Sequence, residues 1–153
     1  MAILPISSNG TSLDQNPKSV QNWVQNLNQA KQKVTKLSLL LPPSTGHERR
    51  GRGRLELSSE LIGYAQGITA SASVEELILF EPFTFVFTNK AYNESTLAVL
   101  GNNPMLHKYR ELPIVGGTGV FRLARGLVSY QTYAYNNTSG DGTIEVDMVV
   151  LHY

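Results

Sequence analysis

The stretch Phe83-Thr84-Phe85-Val86-Phe87-Thr88 alternates aromatic side chains with smaller ones. Successive side chains of an extended strand point to opposite faces, so the alternation places the three phenylalanines on one face. The whole segment Leu77 to Thr88 is rich in residues that favour strands. It therefore predicts a strand with one buried aromatic face.

Similar segments lie on both sides of this strand. Val34 to Leu41 has the same period of two, and Asn136 to Gly142 is a turn cluster of the kind that joins antiparallel strands. Since no second helix is available to cover a sheet face, the strands must bury that face on themselves, as an all-β barrel or a sandwich. Further strands are predicted over Leu61 to Ala72, Ser95 to Leu100, Gly119 to Arg125, Leu127 to Tyr135 and Thr143 to Tyr153.

One helix is predicted before the strands. Asn16-Pro17 is a favourable helix start, because Asn caps the first turn and Pro fits the first helical position. The helix should run from Lys18 to about Lys33, and its simplest role is packing without chemistry. Its apolar residues follow the helical spacing: Val20, Trp23, Val24, Leu27 and Ala30. Residues 1–33 are thus expected to form an arm and helix, and residues 34–153 a barrel domain.

Composition narrows the possible classes of protein. The 153 residues are 41% hydrophobic and only 16% charged, which argues against a disordered or coiled-coil chain and indicates one globular domain. The formal net charge of +1 by itself says nothing about partners. The absence of cysteine excludes disulfides, thiolate metal sites and cysteine nucleophiles. No apolar run is long enough for a membrane-spanning helix, so no membrane partner is expected.

Two signals on localisation disagree. Met1 to Ser8 has neither the basic start nor the apolar stretch of a secretory signal, which read literally predicts a cytoplasmic protein. Sequons for N-glycosylation, which have meaning only in the secretory pathway, begin at Asn9, Asn93, Asn136 and Asn137.

The run Ser44 to Arg54 contains four arginines and three glycines but no apolar side chain, and it is predicted to be a solvated loop. It is similar to arginine-glycine segments that bind RNA. However, it has no aromatic residue on which bases could stack, so no nucleic-acid partner is expected.

Most catalytic motifs are absent from the sequence. The glycine-rich Val115 to Val120 lacks the lysine of a phosphate-binding loop, and its glycines more simply allow a tight turn or a close approach to another strand. His47, His107 and His152 are far apart and show no metal-ligand spacing. We therefore expect neither a metal nor a cofactor.

Charged residues inside apolar segments are the remaining candidates for a site. A buried charge is costly unless it is paired or meets a ligand, and pairing is the simpler expectation for Arg122 and Arg125. Arg110 is the better site candidate. It follows Gly101 to Pro104, a stretch that looks flexible and should lie near a barrel mouth, where small-molecule sites concentrate.

The sequence resembles the plant dirigent protein family. The resemblance covers about Ser58 to Tyr153, and more weakly Pro17 to Leu40. The matching motifs, in order, are Ala65-Gln66-Gly67, Ala70-Ser71-Ala72-Ser73, Phe85-Val86-Phe87-Thr88, Tyr92-Asn93-Glu94-Ser95-Thr96-Leu97, Arg110-Glu111-Leu112-Pro113, Phe121-Arg122-Leu123-Ala124-Arg125-Gly126 and Val150-Leu151-His152-Tyr153.

The resemblance implies an eight-stranded antiparallel β-barrel that follows one helix, assembles as a homo-oligomer (dimer or trimer) and is secreted to the apoplast. It further implies a stereo-directing role in lignan formation: the barrel orients phenoxy radicals of monolignols such as coniferyl alcohol. A separate oxidase, a laccase or peroxidase, makes the radicals, so the protein would have no oxidative activity of its own. Two alternatives stay open, namely a cyclase or dehydratase acting on quinone methides, as in isoflavonoid ring closure, and an inactive binding or defence-related copy.

Family site residues transfer only in part. The resemblance implies that Arg110 is the catalytic arginine, and that Asn103 stands where some members have an acid. Thr69 or Ser71 replaces a pocket tyrosine with a smaller hydroxyl, while Phe83, Phe85 and Phe87 would form the apolar wall. The glycosylation candidates within the family region are Asn93, Asn136 and Asn137.

The main departure from the family follows the first strand. Leu39 to Pro43 runs directly into the arginine-glycine run, where members normally have a second strand with acidic residues. The sequence therefore predicts a barrel that is incomplete at one seam, with Leu55 to Leu57 as the remnant able to pair, and without the aspartates of the cyclising relatives.

Overall fold

The computed structural model describes residues 16–43, 48–53, 61–139 and 141–153, with the backbone alone for 48–53. Helix α1 spans Pro17–Asn26 and continues into a 3-10 turn, Leu27–Gln29. The strands are β1 (Lys33–Leu41), β2 (Glu48–Gly53), β3 (Leu61–Gly67), β4 (Ala70–Ser71), β5 (Ile78–Phe87), β6 (Thr96–Pro104), β7 (Tyr109–Thr118), β8 (Arg125–Tyr135) and β9 (Gly142–His152).

Eight of these strands form a closed ring of antiparallel pairs. The order runs β1, β2, β3, β5, β6, β7, β8 and β9, and β9 pairs back to β1 along the whole length of Lys33–Leu41. The ring passes from β3 directly to β5 through the pairs Gly63↔Phe87 to Gly67↔Phe83. The two-residue β4 only extends the edge of β5. The prediction of an eight-stranded antiparallel barrel is confirmed.

Helix α1 begins as expected from the sequence. The Asn16 side-chain oxygen accepts a hydrogen bond of 2.9 Å from the Lys18 N–H, and Pro17 occupies the first turn. The helix is shorter than predicted, because strand pairing already begins at Lys33, opposite His152. No helix side chain is fully buried, but the Trp23 ring lies 5.5 Å from the Arg122 guanidinium. Within the described ranges no helix is long and apolar enough to cross a bilayer.

The core fills the barrel interior with inward-facing side chains of alternate strand positions. Phe85 and Phe87 of β5 are both buried, as the aromatic alternation predicts. The Phe87, Phe121 and Tyr92 rings form a cluster with centroids 5.1–5.7 Å apart, and His152 packs edge-on against Phe121. This cluster fills one end of the barrel, so open space is left at the other end.

The prediction for the arginine-glycine run was wrong. It was predicted to be a loop, yet Glu48–Gly53 is β2, which pairs with β3 from Glu48↔Gln66 to Arg52↔Leu61. A strand ladder is made by backbone groups and does not require apolar side chains. β2 bridges the seam that was expected to be open, although it meets β1 at only two positions, Leu39↔Gly53 and Leu40↔Arg52. Leu55 to Leu57 lies outside the described residues.

Two other strand predictions were wrong or incomplete. Gly119–Phe121 is a 3-10 turn where a strand from Gly119 to Arg125 was predicted, since Gly119 (φ 62°) and Leu123 (φ 54°) both leave the extended region. The preceding segment Tyr109–Thr118, which was not predicted as a strand, is β7. The stretch Gly101 to Pro104, predicted to be flexible, forms the end of β6.

Candidate functional site

A cavity of about 250 Å³ opens at the end of the barrel opposite the aromatic cluster. Its walls come from the inner faces of several strands and from the β3–β4 connection. The apolar part is formed by Leu41, Ala65, Leu79, Phe83, Met105 and Ile144. The polar part is formed by Gln66, Thr69, Glu81, Asn103 and Tyr130. A cup that combines apolar walls with several polar side chains is typical of a site for one small organic molecule.

The structure brings some of the predicted site residues together and separates others. Asn103, Thr69 and Phe83 line the cavity. Phe85 and Phe87 lie deeper, inside the packed core, and do not reach it. Ser71 is exposed on β4, away from the lining.

Arg110 lies directly behind the cavity wall. The side chain is only 3% exposed, and its guanidinium donates hydrogen bonds to Thr132 Oγ1 at 3.1 Å and to the Met105 thioether at 3.6 Å. Burial lowers the pKa of Arg110, while the Glu81 carboxylate and the Tyr130 phenol raise it. Because Met105 lines the cavity and has a flexible unbranched side chain, its movement would give a ligand oxygen access to the guanidinium.

Three buried polar atoms near the cavity have no hydrogen-bond partner in the described part of the chain. They are Asn103 Oδ1, Arg110 Nε and the Tyr130 hydroxyl. Asn103 and Tyr130, which are 3% and 5% exposed, both line the cavity. An unsatisfied buried polar group costs about 1–3 kcal/mol, so these groups favour a partner with hydroxyl or carbonyl oxygens.

Sequence reasoning missed Glu81 and Tyr130. Glu81 is half-buried on β5, two positions before Phe83, so the period of two that predicts the phenylalanine face also predicts an inward Glu81. Tyr130 lies on β8 opposite Arg110, with its ring 6.1 Å from that of Phe83. Burial, followed by the nearby Glu81 carboxylate, raises the pKa of Tyr130 well above its usual 10.0. Tyr130 therefore keeps its proton and can donate a hydrogen bond at neutral pH.

The sequons differ in their surroundings. Asn93, Asn136 and Asn137 are exposed. Ser95, the third residue of the first sequon, is 1% exposed, and its hydroxyl accepts a hydrogen bond of 3.0 Å from the Val120 N–H. Asn136 Oδ1 accepts a hydrogen bond from the Thr138 N–H at 2.9 Å. Asn9 lies outside the described residues.

The described residues contain no group of three or more His, Asp or Glu side chains that could hold a metal ion. His152 is buried, and its Nε2 hydrogen-bonds to Thr35 Oγ1 at 2.8 Å, whereas His107 is exposed. His47 falls in a part of the chain that the structure does not describe.

A family model for dirigent-like proteins matches residues 52–151, which include every residue of the cavity wall except Leu41. The chain belongs to the dirigent family. Dirigent protein 21 of Arabidopsis thaliana is 45% identical over 97 residues, covering 63% of this chain and 51% of the relative. Pterocarpan synthase 1 of Glycine max is 46% identical over 99 residues, covering 64% and 53%. The chain thus spans about half the length of the curated dirigent relatives it matches.

Solved dirigent structures have the same barrel. The pterocarpan synthase dirigent protein GePTS1 superposes with a TM-score of 0.73 at 32% identity, covering 81% of this chain and 87% of that one. The related PsPTS1 superposes with a TM-score of 0.72, also at 32% identity. The cavity described above therefore belongs to a dirigent barrel.

Proposed function

We propose that this dirigent barrel binds one phenolic quinone methide and directs the stereochemistry of its ring closure. The observation that carries the proposal is the small cavity, in which Asn103 Oδ1 and the Tyr130 hydroxyl have no hydrogen-bond partner among the described residues and the Glu81 carboxylate lies in the lining. Pterocarpan synthases among the similar proteins support a reaction of this kind.

Ring closure needs a proton acceptor and donors that stabilise an oxyanion. A pendant hydroxyl oxygen forms a C–O bond to the methide carbon, and its proton passes to the Glu81 carboxylate. The methide electron pair moves into the ring and leaves the quinone oxygen as a phenolate, which Tyr130 and Arg110 would stabilise by hydrogen bonds. The phenolate then takes up, through water, the proton that Glu81 releases. The product is an isomer of the quinone methide, and no oxidant is consumed.

Cavity size favours an intramolecular reaction. Ligand sites for drug-sized molecules are about 300–1,000 Å³, so a cavity of about 250 Å³ suits a single small molecule. Ring closure requires only that one molecule, held with its hydroxyl near the methide carbon. Coupling of two radicals would require the second radical to arrive from solution or from another barrel.

Stereoselective coupling of monolignol radicals is the second candidate. The walls formed by Phe83, Leu79 and Ile144 can shield one face of a bound phenoxy radical. Nearly one product requires a preference of only about 2–3 kcal/mol between the two approaches, because each ~1.4 kcal/mol is a factor of ten. In this reading a laccase or peroxidase supplies the radicals, and the barrel itself catalyses no oxidation.

One assay separates the two candidates. The first probe is a phenolic benzylic alcohol with a second, ring-closing hydroxyl, converted to its quinone methide by loss of water; the second is coniferyl alcohol with added laccase. We expect enantiomeric excess in the cyclic product without any oxidase, measured by chiral chromatography. A racemic cyclic product at saturating protein would remove ring closure, and a racemic coupling product would remove radical coupling. Racemates in both would leave a binding module, which fluorescence titration with each phenol would test.

We also propose that the chain works as a secreted homo-oligomer in the apoplast. The outer sheet face near β6 and β7 carries exposed Leu100 and Val115, together with Ile68, and an apolar face of this kind is suited to a second copy. Sedimentation equilibrium should give a dimer or trimer mass, and a monomer mass at micromolar concentration would contradict this. Glycosidase treatment of the protein purified from plant tissue tests whether it has passed through the secretory pathway.

A further inference from the structure

We infer that Glu81 makes the cavity selective for neutral phenolic alcohols and quinone methides over the corresponding phenolic carboxylates. The inference rests on the proposed function, because it concerns which phenols enter that cavity.

The position of Glu81 supports this role. Glu81 pairs with Gly101 across β5 and β6, and its side chain lies on the same inner face as Leu79 and Phe83. Within the described part of the chain it is the only charged residue in the cavity lining. A bound ligand would therefore lie against one fixed carboxylate in otherwise apolar or neutral surroundings.

Among the side chains that the structure describes, one cation lies near the Glu81 carboxylate of the cavity. The buried Arg110 guanidinium lies behind Met105, and the Glu81 carboxylate is close enough to favour its ionised form. This described pair of one cation and one anion has no net charge. A ligand carboxylate would add a second anion to a single cation, and repulsion between like charges is strong where apolar walls exclude water.

The side-chain oxygen of Asn103 in the cavity wall also favours an alcohol. Asn103 Oδ1 is a buried acceptor without a partner among the described residues. An alcohol O–H can donate to this oxygen, whereas an ionised carboxylate can only accept. The acceptor thus adds a second reason for the site to prefer an alcohol.

The test compares two probes that differ only at the end of the side chain: coniferyl alcohol and ferulic acid, which is ionised at pH 7. Calorimetric titration of the wild-type chain should give at least about tenfold tighter binding of the alcohol, because the Glu81 carboxylate repels ferulate. A factor of ten in the dissociation constant is about 1.4 kcal/mol. Glu81→Gln should lower the preference for the alcohol by about tenfold, because ferulate binding tightens once the repelling carboxylate is removed.

Two further variants make the result specific. Glu111→Gln removes the same charge from an exposed position of β7, next to Arg110 in sequence, and should keep the wild-type preference. Glu81→Asp keeps the carboxylate and should retain the preference. If Glu81→Gln fails to fold by circular dichroism, Glu81→Met stands in as the variant without the charge.

The possible failures are distinguishable. Equal binding of both probes by the wild-type chain, or an unchanged ratio in Glu81→Gln, overturns the selectivity role of Glu81 and leaves the proposed function intact. If neither probe binds to any of the folded proteins while the ring-closure assay still gives enantiomeric excess, the selectivity inference alone is overturned. If that assay also gives a racemate, the proposed function is overturned with it.

Discussion

At the scale of single residues, the site depends on polar groups held in an apolar wall. Tyr130, Asn103 and Arg110 are nearly completely buried and have hydrogen-bonding atoms that the described protein does not satisfy. Groups of this kind destabilise the empty barrel, so they are best explained by a ligand that they help to bind.

Arg110→Ala tests the contribution of the guanidinium to ring closure and to the stability of the barrel. The variant loses the bond to Thr132 and the cation that opposes the Glu81 charge. We expect kcat/KM for ring closure to fall by about 10²–10³, with loss of enantiomeric excess, and the fold to lose about 1–3 kcal/mol. Chiral chromatography and urea unfolding measure the two effects.

Arg125→Ala is the matched control, because this arginine is exposed at the start of β8. It should leave both quantities unchanged. Full enantiomeric excess in Arg110→Ala would show that Arg110 only supports the wall.

Gly126→Ala tests a close backbone approach. Gly126 has φ of 159°, and a Cβ atom there would clash with the Val149 carbonyl oxygen of β9. We expect a loss of about 2–3 kcal/mol in the free energy of unfolding, because neither backbone can move without breaking the β8–β9 ladder. Gly116→Ala serves as control, since its Cβ would meet no atom within 4 Å, and it should change stability by at most about 1 kcal/mol. Equal unfolding midpoints for the two variants would contradict the role of Gly126.

At the scale of elements, the strands differ in how firmly they are held. β9 pairs over most of its length with both β1 and β8, with one register shift between Thr132 and Ala134 of β8, whereas β2 meets β1 at two positions only. A short ladder opens at a lower free energy than a long one, since fewer hydrogen bonds and contacts must break together. The seam between β1 and β2 is therefore the weakest part of the described barrel wall.

Hydrogen exchange should detect this difference. We expect amides of Glu48–Gly53 to exchange well before those of Gly142–His152 under native conditions, as measured by mass spectrometry of peptic peptides. Ligand binding in the cavity should slow exchange in β3, whose Ala65 and Gln66 belong to the wall. Equally slow exchange in β2 and β9 would show that the seam is as stable as the rest of the ring.

At the scale of the whole molecule, the closed ring has one packed end and one end with a cavity. The aromatic cluster and His152 fill one end, and the cavity described above lies at the other. This division explains how a chain without cysteine can keep an unfilled cavity of about 250 Å³ and still have a packed core.

Global stability should decrease at mildly acidic pH because of His152. Burial, followed by the charge of Lys33, lowers the pKa of His152 below its usual 6.5 in the folded state. Below pH 6.5 the unfolded chain therefore binds more protons at this position than the folded one, and the stabilisation present above that pH is lost as the pH falls through the folded pKa.

The melting temperature should accordingly fall between about pH 7 and pH 5, and His152→Gln should show a smaller fall. His107→Gln, at an exposed histidine, should follow the wild-type curve. Parallel curves for His152→Gln and the wild type would mean that another group causes the loss.

The sequence by itself determined the strands with strict alternation, the capped helix start and the family motifs, because these depend on local periodicity and short-range hydrogen bonds. Phe85, Phe87 and the Asn16 cap lie where the sequence predicts them. Only the tertiary structure decided that β2 bridges the seam, that Phe87 packs in the core while Phe83 lines the cavity, and that Glu81, Arg110 and Tyr130 come together. Those outcomes depend on which strands pair and at what register, and backbone pairing between segments distant in the chain leaves no pattern in the residues of either segment alone.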